Sequence, residues 1–387
     1  MAVTVAILSV VLLGIGAFTI DFGMSYADTR QLQTSADAAA LAAANYLKTQ
    51  TGTCPTLVAD ASVINAARDK AEYIRTRNRP GSSVESMQVT CVDGNKSLQV
   101  RYVSGGSTPS FLGGIFGKSS PYTSSRPATA LVEVARTGIG VRPYAICASQ
   151  IPSNALQSGV VFKMQLPASG NTTCPDAGSS GNWWTVDCPE AGSNGTDALA
   201  DKTVNGCTLP ITIVPDQVPA PPAPARTPLE LKNYLEGYCT VRGPSCLSAN
   251  PGNLSSEPLA NAWQTLVDAQ KKIVLPVFCG GPPTGACSSS AVVNAGGNNA
   301  IYPVQSLIGV QVCGYHWSNS KNGQAVTGDC AAYNTVPFNA GDGTNQDKYL
   351  LLRAVPITIS EGDSLPGICA IGDPTCDFGL KQVFLTE

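Results

Sequence analysis

Histidine and charge are what this sequence has least of. A single histidine, His316, stands among 387 residues, which removes most His-based catalysis and most His-containing metal sites. Asp, Glu, Lys and Arg make up 13% of the chain, about half the roughly 25% usual in soluble domains. Formal net charge is only −3 and the pI is near 5.3, so nothing electrostatic points to nucleic acid as a partner. No two cysteines stand in a C-x-x-C pair, the spacing that brings two thiolates onto one ion or onto each other. A G-x-S-x-G elbow, an H-E-x-x-H helix and a phosphate-cradling glycine loop are all missing. The pairs Gly280-Gly281 and Gly296-Gly297 lack the strand-to-helix context and the Lys-Ser/Thr of a P-loop. No residue is singled out as catalytic, cofactor-binding or metal-ligating, and no cofactor is implied. The expectation is a protein that is not an enzyme.

Cysteine itself is abundant. Fourteen are present, an even number without metal-type spacing, so disulfides are favoured over reduced or metal-bound thiols. Disulfides persist in oxidising compartments, which puts the bulk of the chain outside the cytoplasm, extracellular or periplasmic. At 387 residues the chain has room for two or three domains. Gly (38) and Pro (28) are somewhat above average and imply plentiful loops.

Ala2 to Ile20 carries no charged residue. At 1.5 Å per residue it would extend about 28 Å as a helix, close to the hydrocarbon thickness of a bilayer. A buried core helix would show a polar face, and here only Thr4, Ser9 and Thr19 are polar. A cleavable signal peptide has a shorter apolar region behind basic residues and ends in a small-x-small site. This run is longer, has no Lys or Arg before it, and is followed by Asp21-Phe22-Gly23. A single-pass membrane anchor at residues 1–20 is therefore expected, with the lipid bilayer as its partner. Orientation is contested. Arg30, the first basic residue, follows the run and argues for a cytoplasmic remainder, while the cysteines argue for export and carry more weight.

The helical pattern continues past the apolar run. Asp21 to Lys48 lacks proline, and Leu32, Ala36, Ala39, Ala43 and Leu47 recur at spacings of three and four, which places them on one helix face. Small alanines there permit close approach, to other helices or to the protein's own external domain.

The strings Ile20-Asp21-Phe22-Gly23, Arg30-Gln31-Leu32-Gln33 and Ser35-Ala36-Asp37-Ala38-Ala39-Ala40-Leu41-Ala42-Ala43-Ala44 together resemble the N-terminal signature of the TadE/TadG-like Flp pilus-assembly family. A weaker likeness to the external region of such proteins runs from Gly181-Asn182-Trp183-Trp184 through Asp187, Gly195-Thr196 and Asn205-Gly206-Cys207. The resemblance implies an envelope-anchored minor pilin or assembly component of a bacterial tight-adherence system. Its N-terminal helix would pack against other pilus or Tad-machinery proteins. Some relatives carry a D-x-S-x-S metal motif; Asp60-Ala61-Ser62-Val63-Ile64 lacks the second serine, so no metal site is carried over. No TadE-type prepilin cleavage site precedes the apolar run, and processing stays open.

The rest reads as α+β: a long transmembrane and amphipathic helix on a small antiparallel sheet, then a loop-rich, mainly β, disulfide-stapled external region. Ala61–Arg79 is a second helix, stopped by Pro80-Gly81. Met87–Val92 and Ser97–Val103 flank Asp93-Gly94-Asn95 as a hairpin, and Thr129–Ala135 is a third strand. Phe111–Phe116 is a short apolar piece, either core or lying on the membrane surface. Cys54 and Cys91 could be bridged between the helix-connecting loop and the first strand. Residues 21–137 form this pilin-like domain, 138–214 a loop-rich subdomain, 215–228 a Pro-rich linker and 229–387 a mainly β subdomain. Pro228–Cys239 and Leu259–Gln270 are helix candidates; Lys272–Phe278, Val304–Trp317 and Tyr349–Ile359 are strand candidates. Neighbouring cysteines suggest local pairs: Cys174/Cys188, Cys239/Cys246, Cys279/Cys287, Cys313/Cys330 and Cys369/Cys376. Connectivity is not readable from spacing alone.

Other features have plain readings. Asp342, Asp347, Asp373 and Asp377 sit in Gly-rich loops, and Asp342-Gly343-Thr344-Asn345 departs from calcium-loop spacing, so turns are expected. Trp183-Trp184, Trp263 and Trp317 could form a ligand platform, though a packed cluster is simpler. The alternative to a pilus role is a membrane-anchored adhesin or ligand-binding module.

Overall fold

The computed structural model describes residues 2–109, 121–138, 140–165, 185–190, 195–212, 246–248, 254–278, 301–336, 348–358, 369–374 and 376–386. Phe111–Phe116, Trp183-Trp184, Pro215–Pro228, the Pro228–Cys239 helix candidate, both glycine pairs, Asp342–Asn345, Asp347 and the bonding of Cys174, Cys239, Cys279 and Cys287 lie outside them.

Helix α1 (Ala2–Leu47) is one unbroken element of 46 residues. No proline interrupts it, and it ends where Thr49 N–H and Gln50 N–H turn back onto the carbonyls of Tyr46 and Leu47. Thr53 caps the short α2 (Cys54–Ala59) by accepting from Thr56 N–H. Asp60 then closes α2 and opens α3 (Ala61–Asn78), its carboxylate accepting from the N–H groups of Ser62 and Val63. The Ser62 hydroxyl, which also donates to this carboxylate at 2.6 Å, and then those two N–H groups hold its pKa below the usual carboxylate value.

The strands in chain order are β1 (Ser83–Val92), β2 (Ser97–Thr108), β3 (Tyr122–Val134), β4 (Thr137–Gly138), β5 (Ile146–Cys147), β6 (Val161–Gln165), β7 (Ile211–Thr212), β8 (Cys246–Ser248), β9 (Lys272–Phe278), β10 (Ile301–Ser318), β11 (Lys321–Gln324), β12 (Tyr349–Ala354), β13 (Ile357–Thr358) and β14 (Leu380–Thr386). The first sheet has the order β1-β2-β3-β14-β13 and the second β5-β9-β10-β12-β6, with β8 and β11 also on β10. Pairing is antiparallel apart from β13 with β14 and β5 with β9. The Asp93-Gly94-Asn95 turn joins β1 to β2, with Gly94 at φ 66°. Mixed helix and antiparallel sheet was the expected class.

Two apolar clusters form. One joins α1, α2, α3 and the inner face of the first sheet. The other surrounds the second sheet and the Glu257–Asp268 helix. The first sheet is not completed by residues 21–137 alone. Its fourth strand, Leu380–Thr386, comes from the far end of the 229–387 stretch and pairs with Thr129–Val134.

Among the described residues, no helix is long and apolar enough to cross a membrane. The segment expected to do so, residues 1–20, is helical from Ala2 onward. Thr4, Ser9, Gly14, Gly16 and Thr19 dilute its described part, and the side chains of Ala2, Val3, Ala6, Ile7, Val10, Leu13 and Ala17 lie outside it.

Three of the sequence pairings are present: Cys54–Cys91, Cys313–Cys330 and Cys369–Cys376. Cys188 corrects the fourth, being bonded to Cys207 and not to Cys174. The reason is backbone routing. Val186 N–H donates to Pro143 O and Cys207 N–H to Val141 O, so both cysteine segments run beside residues 141–144 and bring their sulfurs together.

The N-terminal helix as candidate functional site

Helix α1 has two halves of opposite character. In the first, every described large apolar side chain from Val5 to Phe22 is more than half exposed, as Val5, Leu8, Val11, Leu12, Ile15, Phe18, Ile20 and Phe22. Phe18 and Phe22 stack on one another at 6.1 Å, one helical turn apart. Two polar groups of this half turn inward to the backbone: Ser9 Oγ donates to Val5 O at 2.8 Å and Thr19 Oγ1 to Ile15 O.

The second half is docked. Leu32, Ala36, Ala39, Ala43 and Leu47 are buried, the stripe expected from the three-and-four spacing, and Ala40 and Ala44 widen it. From Ala36 onward they form one cluster with α3, which presents Ala67 and Ala71, and with the sheet face carrying Leu98, Val100, Tyr102, Ala128 and Ala130. Alanine on both helices lets their backbones approach closely. Burying this stripe is favourable by about 25 cal/mol per Å² of apolar surface, so the docking of α1 rests mainly on it.

Polar residues of the signature strings fix the register. Ser35 Oγ donates to Arg75 O at 3.2 Å on α3, and Gln31 Nε2 to Asn78 O at 3.4 Å. Gln33 Nε2 donates to Pro127 O at 3.0 Å on β3 and to Asp37 Oδ1 at 2.8 Å. Arg30 lies over the Tyr26 ring at 5.3 Å.

An ion pair that neither motif nor spacing had marked sits at the boundary between the halves. Arg79 Nη2 lies 2.6 Å from both carboxylate oxygens of Asp28, and Nε lies 3.0 Å from Oδ1. Thr108 Oγ1 also donates to Asp28. Burial opposes the charged carboxylate, but the hydrogen bonds from Arg79 and Thr108 and the guanidinium charge outweigh it and lower the Asp28 pKa. Gly106 makes room, since a Cβ there would collide with Arg79 Nη1. In the sequence Arg79 stood out only as the helix-ending residue before Pro80-Gly81.

The remaining candidates fall elsewhere. His316 is buried on β10, stacked on Tyr349 at 5.2 Å. Trp263 and Trp317 are packed, edge to face at 5.9 Å. Trp263 Nε1 donates to Tyr144 Oη at 3.2 Å, and Tyr144 Oη meets Thr203 Oγ1 at 2.7 Å. For this pair the simpler reading holds: they are core, not a platform. Asp377 closes a turn by accepting from the N–H groups of Gly372 and Gly379. Glu190 lies close to the sulfurs of Cys188 and Cys207, yet those sulfurs are bonded to each other. Its carboxylate instead accepts from Thr208 N–H at 2.8 Å and pairs with Lys202 at 2.9 Å.

Residues 1–45, the helix just described almost in full, match the family model described as "Putative Flp pilus-assembly TadE/G-like". That match associates the N-terminal segment with Flp pilus assembly and with the cell envelope. No curated protein and no solved structure matches the chain.

Proposed function

We propose that this protein is an envelope-anchored component of a Tad/Flp-type pilus, either an assembly factor or a minor pilin-like subunit. The observation that carries the reading is the contrast along α1: a bared apolar half, free of charge from Ala2 to Ile20, joined without a break to a half locked onto the folded body. In this reading the bared half sits in the bilayer, or among the helices of partner pilus proteins. Its inward-turned Ser9 and Thr19 hydroxyls suit a medium where no water can satisfy them. The disulfide-bonded body stands outside the cytoplasm, acting by docking and not by catalysis.

Cell fractionation of a Leu12→Arg/Ile15→Arg variant tests the anchor, since each arginine costs about 2.5–3.5 kcal/mol at the centre of a membrane helix. The wild type should stay in the carbonate-washed membrane pellet and the variant should leave it. Retention of both would overturn the anchor. Deleting the gene should abolish surface pili, and undiminished piliation would overturn the assembly role.

A further inference from the structure

The loop held by Cys369–Cys376 and the strand that follows it are built into the N-terminal unit. Cys54 N–H donates to Ile371 O at 3.2 Å, and Ile371 N–H donates to Asn95 O at 2.9 Å. The loop thus sits between the α1–α2 connection and the β1–β2 turn. Gly372, at φ +78°, lies so close to Gly52 O that any Cβ would collide with it. Lys381 Nζ donates to Gln50 O at 3.1 Å. Beyond the loop, β14 covers the edge of β3 from Thr129 to Val134. Cys369, Ile371 and Cys376 share one apolar cluster with Cys54 and the alanines of α1.

We infer that the Cys369–Cys376 bridge is a maturation latch, which seats β14 on β3 and so locks the docked half of α1. The step is a thiol–disulfide exchange. Two thiols give up two protons and two electrons to a disulfide-bearing oxidant, which leaves as a dithiol. The open thiols are within reach of that oxidant. Once the loop is seated both cysteines are buried, so the latch resists reduction from solvent. Without it, the β3 edge and the α1 stripe lose a neighbour that no described residue of 21–137 replaces.

Hydrogen exchange on the full chain in detergent, comparing wild type with Cys369→Ser/Cys376→Ser, tests this. Amides of Thr129–Val134 and Ala36–Leu47 should exchange at least tenfold faster in the variant, while those of β9 and β10 keep their rates. Unchanged rates in β3 and α1, or an equal rise throughout, would overturn the latch. Should the variant fail to accumulate, graded dithiothreitol reduction of the wild type with iodoacetamide mapping gives the same reading. Molecules alkylated at Cys369 and Cys376 should show the open β3 edge, and a protected edge in them would overturn it.

Discussion

Asp28 and Arg79, 51 residues apart, meet in a forked ion pair whose side chains are 19% and 8% exposed. The contact ties α1 to the turn after α3, at the level where the helix passes from bared to docked.

Replacing Asp28 with Asn should lower stability by about 2 kcal/mol. Removing one partner of a buried pair costs roughly 3–5 kcal/mol, and the residual exposure of Asp28 discounts that figure. Because the folded-state pKa is depressed, the pair stabilises fully above the unfolded carboxylate pKa of about 3.9. That contribution is lost as pH falls through the lower folded value. Urea titrations of wild type and variant from neutral pH downward would check both points, and the gap between their midpoints should narrow as pH falls below the unfolded value of about 3.9.

Ala39 and Ala43 lie at zero exposure against α3 and the sheet. Leucine at either position should destabilise by about 1–3 kcal/mol, the usual cost of overpacking a filled core. Leucine at Thr34, which is exposed on the same helix and bonds only to the helix backbone at Arg30 O, should leave the melting temperature nearly unchanged. Thermal melts of the three variants decide it.

Cys54–Cys91 closes a separation of 37 residues across α2, α3 and β1. The double serine variant should lose about 2–4 kcal/mol. Denaturation without reductant measures it; with reductant present, wild type and variant should behave alike.

Burial works against charge at Glu190, but the N–H of Thr208 and the ammonium of Lys202 prevail and hold its pKa down to about 2. The carboxylate therefore adds stability above its unfolded pKa of about 4.3, and this is lost as pH falls toward 2. Glu190→Gln should remove that part of the acid dependence, readable as a flatter stability–pH curve between pH 5 and pH 2.

The periodic features were legible in the sequence. Leu32, Ala36, Ala39, Ala43 and Leu47 announced the buried face of α1 because a helix repeats every 3.6 residues. Asp93-Gly94-Asn95 announced the first hairpin because it supplies the positive-φ positions a tight turn needs. What stayed hidden was partner choice at long range. Nothing local in Leu380–Thr386 says that it pairs with β3, more than 240 residues earlier. Nothing in the spacing of Cys188 selects Cys207 over Cys174, since that depends on both segments running beside residues 141–144. Asp28 and Arg79 were equally silent, because an ion pair has no period.

The unbroken course of α1 has a mechanical consequence. Its docked half runs alongside α3 and β3, so a pull along the helix axis loads the alanine stripe and the Asp28–Arg79 fork together, in shear. Contacts strained in parallel share the load, whereas contacts peeled from one end break in turn. Force applied at the bared end would therefore meet the resistance of the whole seam at once.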